Sequence, residues 1–148
     1  MIIKSFEIEK IKSIKNNLIL IYGTNQGYKN QVIKELFEKS FEGEILRFDE
    51  NEILNNHEEF ISNLMNRSLF DDNKLIIISR TTHKILRFVS EIIERKIEKI
   101  KIIINCEILE KKSKLRNLFE KDNDLMCIPF YEDNEKNLNL ITHNFFKK

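Results

Sequence analysis

LILIYGTNQGYKNQVIKEL, residues 18–36, reads as a strand, a turn and a helix in immediate succession. Leu18 to Tyr22 is a continuous apolar run rather than an alternating one, which marks a strand buried on both faces. Gly23 and Gly27 mark a turn opening a helix, and Val32, Ile33, Leu36 and Phe37 then recur at helical spacing. A buried strand running straight into a helix is the start of a parallel α/β arrangement.

The rest of the chain repeats this alternation. Further β-branched apolar runs occupy Ile45 to Phe48, Leu75 to Ser79, Lys101 to Asn105 and Leu125 to Ile128. Between them lie stripes with helical spacing: Phe60, Ile61, Leu64 and Met65; Ile85, Val89, Ile92, Ile93 and Ile97; Leu115, Leu118 and Phe119. The expected fold is α/β: a doubly wound, five-stranded parallel sheet with right-handed crossovers and helices on both faces. Functional residues then belong in the loops beyond the carboxyl ends of the strands. Ser5 is expected to cap a first helix carrying Ile8, Ile11 and Ile14, and Ser113 to cap the Leu115 helix. Pro129 is expected to stop the last strand, and Leu138, Ile141 and Phe145 suggest a final helical segment.

With 148 residues the chain suits one compact domain. Its abundant Ile, Lys and Asn, with no Ala, reflect A/T-rich coding and make lysine counts weak evidence of function. Net charge is +1, but residues 35–72 are predominantly acidic and residues 80–121 predominantly basic, which predicts two electrical faces. Cys106 and Cys127 have no C-x-x-C spacing and sit in or beside apolar runs, the pattern of buried free thiols in a reducing cytoplasm. The charged N-terminus does not read as a signal peptide. No apolar run approaches the roughly 20 residues that span a bilayer, so a cytoplasmic protein with no membrane partner is expected.

The turn after the first strand lies where P-loop proteins carry G-x-x-x-x-G-K-[ST]. Here Gly23 and Gly27 are separated by three residues, the lysine is Lys29, two positions past the second glycine, and Asn30 stands where a magnesium-binding hydroxyl belongs. That motif aims consecutive amides and one ammonium at phosphates, so a shift of register degrades it. The third strand gives an independent check, because hydrolysing P-loop enzymes end it with an acid that holds magnesium. In this chain LIIIS is followed by Arg80, Thr81 and Thr82. Asn105 closes the fourth strand where such ATPases carry a polar sensor, although an asparagine there also serves as an ordinary cap. His57, His83 and His143 have no partner at metal-ligand spacing, and Asp71 and Asp72 read as turn acids. No catalytic residue, metal or cofactor is expected.

The segments LIYGTNQGYKNQVIKEL, RSLFDDNKLIIIS and NCEILEKKSKLRNLFEK, followed by CIPFYED, together resemble the N-terminal domain of the delta subunit of the bacterial DNA polymerase III clamp loader. The likeness covers nearly the whole chain, in order, and SLF before the apolar strand is its most specific element. It implies an AAA+-like, P-loop-like domain over residues 1–133 with a degenerate phosphate loop at Gly23, Gly27 and Lys29. It implies DNA replication as the setting and a mechanical role, in which the domain binds the β sliding clamp and opens its ring for loading onto primed DNA. Leu69 and Phe70 match the apolar pair that makes the contact, with Ser68 beside them and Arg67 where relatives carry an apolar residue. In the full-length subunit the partners are gamma/tau and delta prime, with primed DNA reached through the complex. Residues 134–148 are expected to begin a helical lid, the chain then being a truncated form without the collar domain.

Other readings of the same residues remain. Leu69 lies four residues after Met65 and is also placed to extend the stripe of Phe60, Ile61, Leu64 and Met65 into the core. The chain is alternatively a small, diverged P-loop nucleotide-binding enzyme, or a DNA-binding module working through its basic half. Lys111, Lys112 and Lys114 precede a helix and read either as a DNA-facing cluster or as a solvated run.

Overall fold

The computed structural model describes residue 2 and residues 17–68, 73–96 and 100–130. The Ser5 helix, Asp71, Asp72, Ile97, His143 and the segment from residue 134 onward lie outside the described residues, as do Leu69 and Phe70.

Strand β1 (Leu18–Gly23) leads into α1 (Gln26–Val32), whose last turns widen into a π-helical stretch, Ile33–Glu38. Then follow β2 (Glu44–Asp49), the short α2 (Glu50–Asn55), α3 (His57–Ser68), β3 (Lys74–Thr81), a 3-10 turn (His83–Ile85), α4 (Leu86–Glu94), β4 (Ile100–Cys106), α5 (Lys114–Lys121) and β5 (Leu125–Phe130). All strands pair in parallel, in the order β2-β3-β4-β1-β5. The central strands β1, β3 and β4 carry the continuous apolar runs, as burial on both faces demands.

The chain moves one way across the sheet from β1 to β2 and the other way from β2 onward. With crossovers of one hand, that reversal puts α1 on one face and the later helices on the other. Ile19 and Ile21 accordingly pack with Tyr28, Val32, Ile33 and Phe37, whereas Leu18 and Leu20 pack with Ile53, Ile61, Leu64, Phe88, Val89 and Phe119. Fully burying each such side chain contributes about 1.5–3 kcal/mol, so the two layers are the main source of stability.

Several local expectations changed. Pro129 does not end β5; it pairs with Tyr22 inside the strand, which continues to Phe130. The reason is position, since β5 is an edge strand and an edge tolerates a missing N–H that points away from its one neighbour. Helix α2 went unforeseen because its six residues bury just one apolar side chain, Ile53, too few for a periodic signal. It starts where the Asp49 N–H donates to Glu52 Oε1 at 3.2 Å. Ser113 caps α5 as expected, its hydroxyl accepting from Arg116 N at 3.3 Å. Cys106 and Cys127 are buried and unbridged.

Candidate functional site

In a sheet wound on both faces, a crevice opens where neighbouring strands send their connections to opposite faces. Here those neighbours are β1, followed by α1, and β4, followed by α5. The turn carrying Gly23, Gly27 and Lys29, expected as a degenerate phosphate loop, sits at that point, and the chain's own atoms close it.

Gly23 ends β1 with φ +135°, and a Cβ placed there would stand 2.0 Å from the carbonyl oxygen of Phe130. Its N–H donates across the crevice to the Glu107 carbonyl. Only Thr24 and Asn25 separate it from α1, so the chain has no length for a loop that wraps a phosphate. The Asn25 side chain accepts from Tyr28 N at 3.1 Å and its carbonyl from Lys29 N at 3.0 Å, which uses helix amides that a phosphate would need. Gly27 lies inside the first turn of α1, where a Cβ would meet nothing within 4 Å.

Lys29 is fully buried, and its Nζ donates to the Cys106 carbonyl at 2.5 Å. Burial pushes its pKa below the usual lysine value, against the opposing pull of Cys106 and Glu107. Its position on the inner face follows from spacing, because Lys29 precedes Val32 and Ile33 by three and four residues. Asn30 accepts from Gln26 Nε2 and from Asn105 Nδ2, each at 3.2 Å. Asn105 therefore faces α1, while its Oδ1 is buried without a partner among the described residues.

At the end of β3 the register with β4 is irregular between Ile78 and Thr81, and Arg80 adopts the left-handed region at φ 56°. This turns its guanidinium outward, 3.9 Å from Asp49 Oδ2. Thr81 points inward, donating to the Asn105 carbonyl at 2.9 Å and touching Cys106 Sγ. The carboxylate nearest this strand end is Glu50, which sequence spacing did not single out. Glu50 is buried at the start of α2 and accepts from Thr82 N at 2.8 Å, with Thr82 Oγ1 at 3.1 and 3.0 Å from its two oxygens. Both oxygens are thus committed to holding the chain.

Burial also pushes the Cys106 thiol up to about 11 and the Cys127 thiol up to about 12, which keeps both protonated and unreactive near neutrality. His57 is buried against Phe88 with Nε2 3.8 Å from Glu91 Oε1, and His83 begins the 3-10 turn. Among the described residues no group of His, Cys, Asp and Glu could hold a metal ion.

Beside the closed point, a crevice of about 790 Å³ opens between the end of β3 and the β4–α5 loop. Lys112 lines it, and Lys111 and Lys114 are exposed nearby. Helix α3 carries Arg67 and Ser68 at its end, and the expected contact pair follows directly outside the described residues. On that helix Ile61 and Leu64 are buried, whereas Met65 is 37% exposed.

Compared with models of protein families, with curated proteins and with solved structures, the chain has no match. Among the described residues no helix is long and apolar enough to cross a membrane.

Proposed function

We propose that this is an AAA+-like, non-catalytic clamp-loader domain that binds the β sliding clamp through Leu69 and Phe70, with Ser68 and Arg67 beside them. In the intact loader, with gamma/tau and delta prime, it holds the clamp open for placement on primed DNA. The observation that carries this reading is at the end of α3. The buried side of that helix runs through Ile61 and Leu64, and the residues three and four beyond Leu64 are the polar Arg67 and Ser68. Leu69 instead follows Met65 by four, and Met65 belongs to the exposed side. By sequence spacing Leu69 falls in line with Met65 and not with Leu64, which supports reading it as a partner contact and not as an extension of the core.

The closed β1–β4 crevice supports a mechanical role over nucleotide hydrolysis. An ammonium bonded to a backbone carbonyl, helix amides already capped, and an arginine where a magnesium-binding acid is needed leave a phosphate little to replace. The sheet order agrees with a P-loop-like plan, because β4, with Asn105 at its end, lies between the glycine-turn strand and β3.

Two apolar side chains entering a partner's pocket contribute roughly 1.5–3 kcal/mol each. Calorimetry with the β clamp of the same source should give binding for the wild type. Leu69→Ala or Phe70→Ala alone should weaken it by about tenfold or more, and the double variant further, while circular dichroism stays unchanged. Unchanged affinity in a folded double variant would overturn the assignment. A melting temperature raised by ATP and magnesium would favour a nucleotide-binding protein instead.

A further inference from the structure

His57 opens α3 with its imidazole 6% exposed, and neither ring nitrogen has a hydrogen-bond partner among the described residues. Buried polar atoms in folded proteins are almost always bonded, so two orphans on one ring call for a partner. Phe88 of α4 fixes the ring edge to face, with centroids 6.2 Å apart. One turn further along α4, Glu91 meets it, with Nε2 3.8 Å from Oε1. That gap exceeds the roughly 3.2 Å reach of a hydrogen bond, so the two do not bond directly. It is short enough for a single donor atom, about 2.9 Å from each, to bond both.

His57 and Glu91 both line a groove of about 430 Å³ between α3 and α4, a size suited to a small molecule. Its charge is set by what is already paired. Glu91 Oε2 accepts from Arg95 Nε at 2.9 Å, and that bond holds the Glu91 carboxyl below its ordinary pKa and so ionised near neutrality. Arg95 Nη1 donates to Met65 Sδ at 3.2 Å, which engages the guanidinium on a second side. Glu58, in the first turn of α3, lines the same groove with no hydrogen bond or ion pair among the described residues. The unbalanced charge is therefore negative, and Glu91 Oε1 is an acceptor still to be used. An anion would meet two carboxylates and one cation already spent; a metal ion would find too few ligands among the described residues. Ile61 and Met65 add apolar wall beside these acceptors.

We propose that the α3–α4 groove binds a small aliphatic amine, whose ammonium donates to His57 Nε2 and Glu91 Oε1 together while its alkyl chain lies along Ile61 and Met65. A charge-assisted donor of this kind satisfies a buried orphan that no side chain of the described residues reaches. The site is built from α3 and α4 alone and does not rest on the clamp reading.

The test is NMR titration of the whole chain with 1,4-diaminobutane at fixed pH, read at the imidazole Cε1–H signals of its three histidines. His57→Phe, which keeps a ring against Phe88, identifies the His57 signal, and the other two serve as internal controls. The expected result is a saturable shift of the His57 signal alone, with 1,4-butanediol, of the same length but uncharged, binding at least about tenfold more weakly. Glu91→Gln still accepts from Arg95 and should weaken the amine about tenfold in a folded chain. No saturable shift, or one matched by butanediol or by sodium chloride at equal ionic strength, would overturn the proposal. So would a Glu91→Gln variant that binds the amine as tightly as the wild type.

Discussion

The Nζ of Lys29 donates to the carbonyl oxygen of Cys106 at 2.5 Å and so joins the helix after β1 to the end of β4. A phosphate-binding lysine has to keep its ammonium available; this one is spent inside the protein. Two substitutions separate its parts. Lys29→Met keeps the apolar stem and removes the charge, leaving the carbonyl without this donor at a cost of about 1–2 kcal/mol. Lys29→Ala also opens a cavity and should cost about 2–5 kcal/mol. Urea unfolding measures both, and equal losses would mean that packing of the stem contributes nothing.

The two glycines of the same turn should behave in opposite ways. Gly23→Ala forces a Cβ against the Phe130 carbonyl at a backbone angle that L side chains rarely adopt, so a loss of more than about 3 kcal/mol is expected. Gly27→Ala meets nothing within 4 Å and sits in a helix, where it should add about 0.5–1 kcal/mol. Thermal melts of the two variants decide this, and a destabilised Gly27→Ala would point to a use for that glycine outside helix geometry.

How far these features were legible in sequence depends on the periodicity that produced them. The five strands stood out because each central one is apolar at successive positions, which water would not tolerate on an open face. Helix boundaries were blurred wherever apolar spacing outlasted the buried face, as at Met65 and Ile93, both 37% exposed. Lys29 was readable in hindsight from its distance to Val32 and Ile33, but a lysine is ordinarily assigned to solvent. The Glu50 contact was not readable, because it joins residues 32 apart in the chain through a turn that no local pattern announces. Pro129 misled because proline reports on hydrogen bonding, and whether a strand lies at an edge is a property of the sheet.

Glu50 and Thr82 offer a test of the strand-end scaffold. Glu50→Gln can still accept from Thr82 N while donating to its hydroxyl, so a loss of about 1 kcal/mol is expected. Glu50→Ala leaves the Thr82 N–H without this acceptor and should cost more, about 2–4 kcal/mol. A double-mutant cycle of Glu50→Ala with Thr82→Val should return a coupling of about 1–2 kcal/mol. Zero coupling would show that the carboxylate holds the chain through other groups.

The buried thiols predict the alkaline limit of stability. Cys106 and Cys127 titrate near 9.0 when unfolded, and burial raises them to about 11 and about 12 in the folded chain. A raised folded pKa gives stability that is fully present below the unfolded value and is lost as pH rises through the folded one. One pH unit above 9.0, each thiol should already cost about 1.4 kcal/mol. Lys29 and Lys101 act in the opposite sense. Their folded pKa values are lowered by burial, so stability rises as pH climbs from those values toward the unfolded 10.5. Comparing unfolding free energies from pH 7 upward for the wild type and for Cys127→Ala separates the two contributions. The alanine variant should start lower by a constant cavity cost and then decline less steeply above 9.0, whereas parallel curves would mean that this thiol does not limit stability in base.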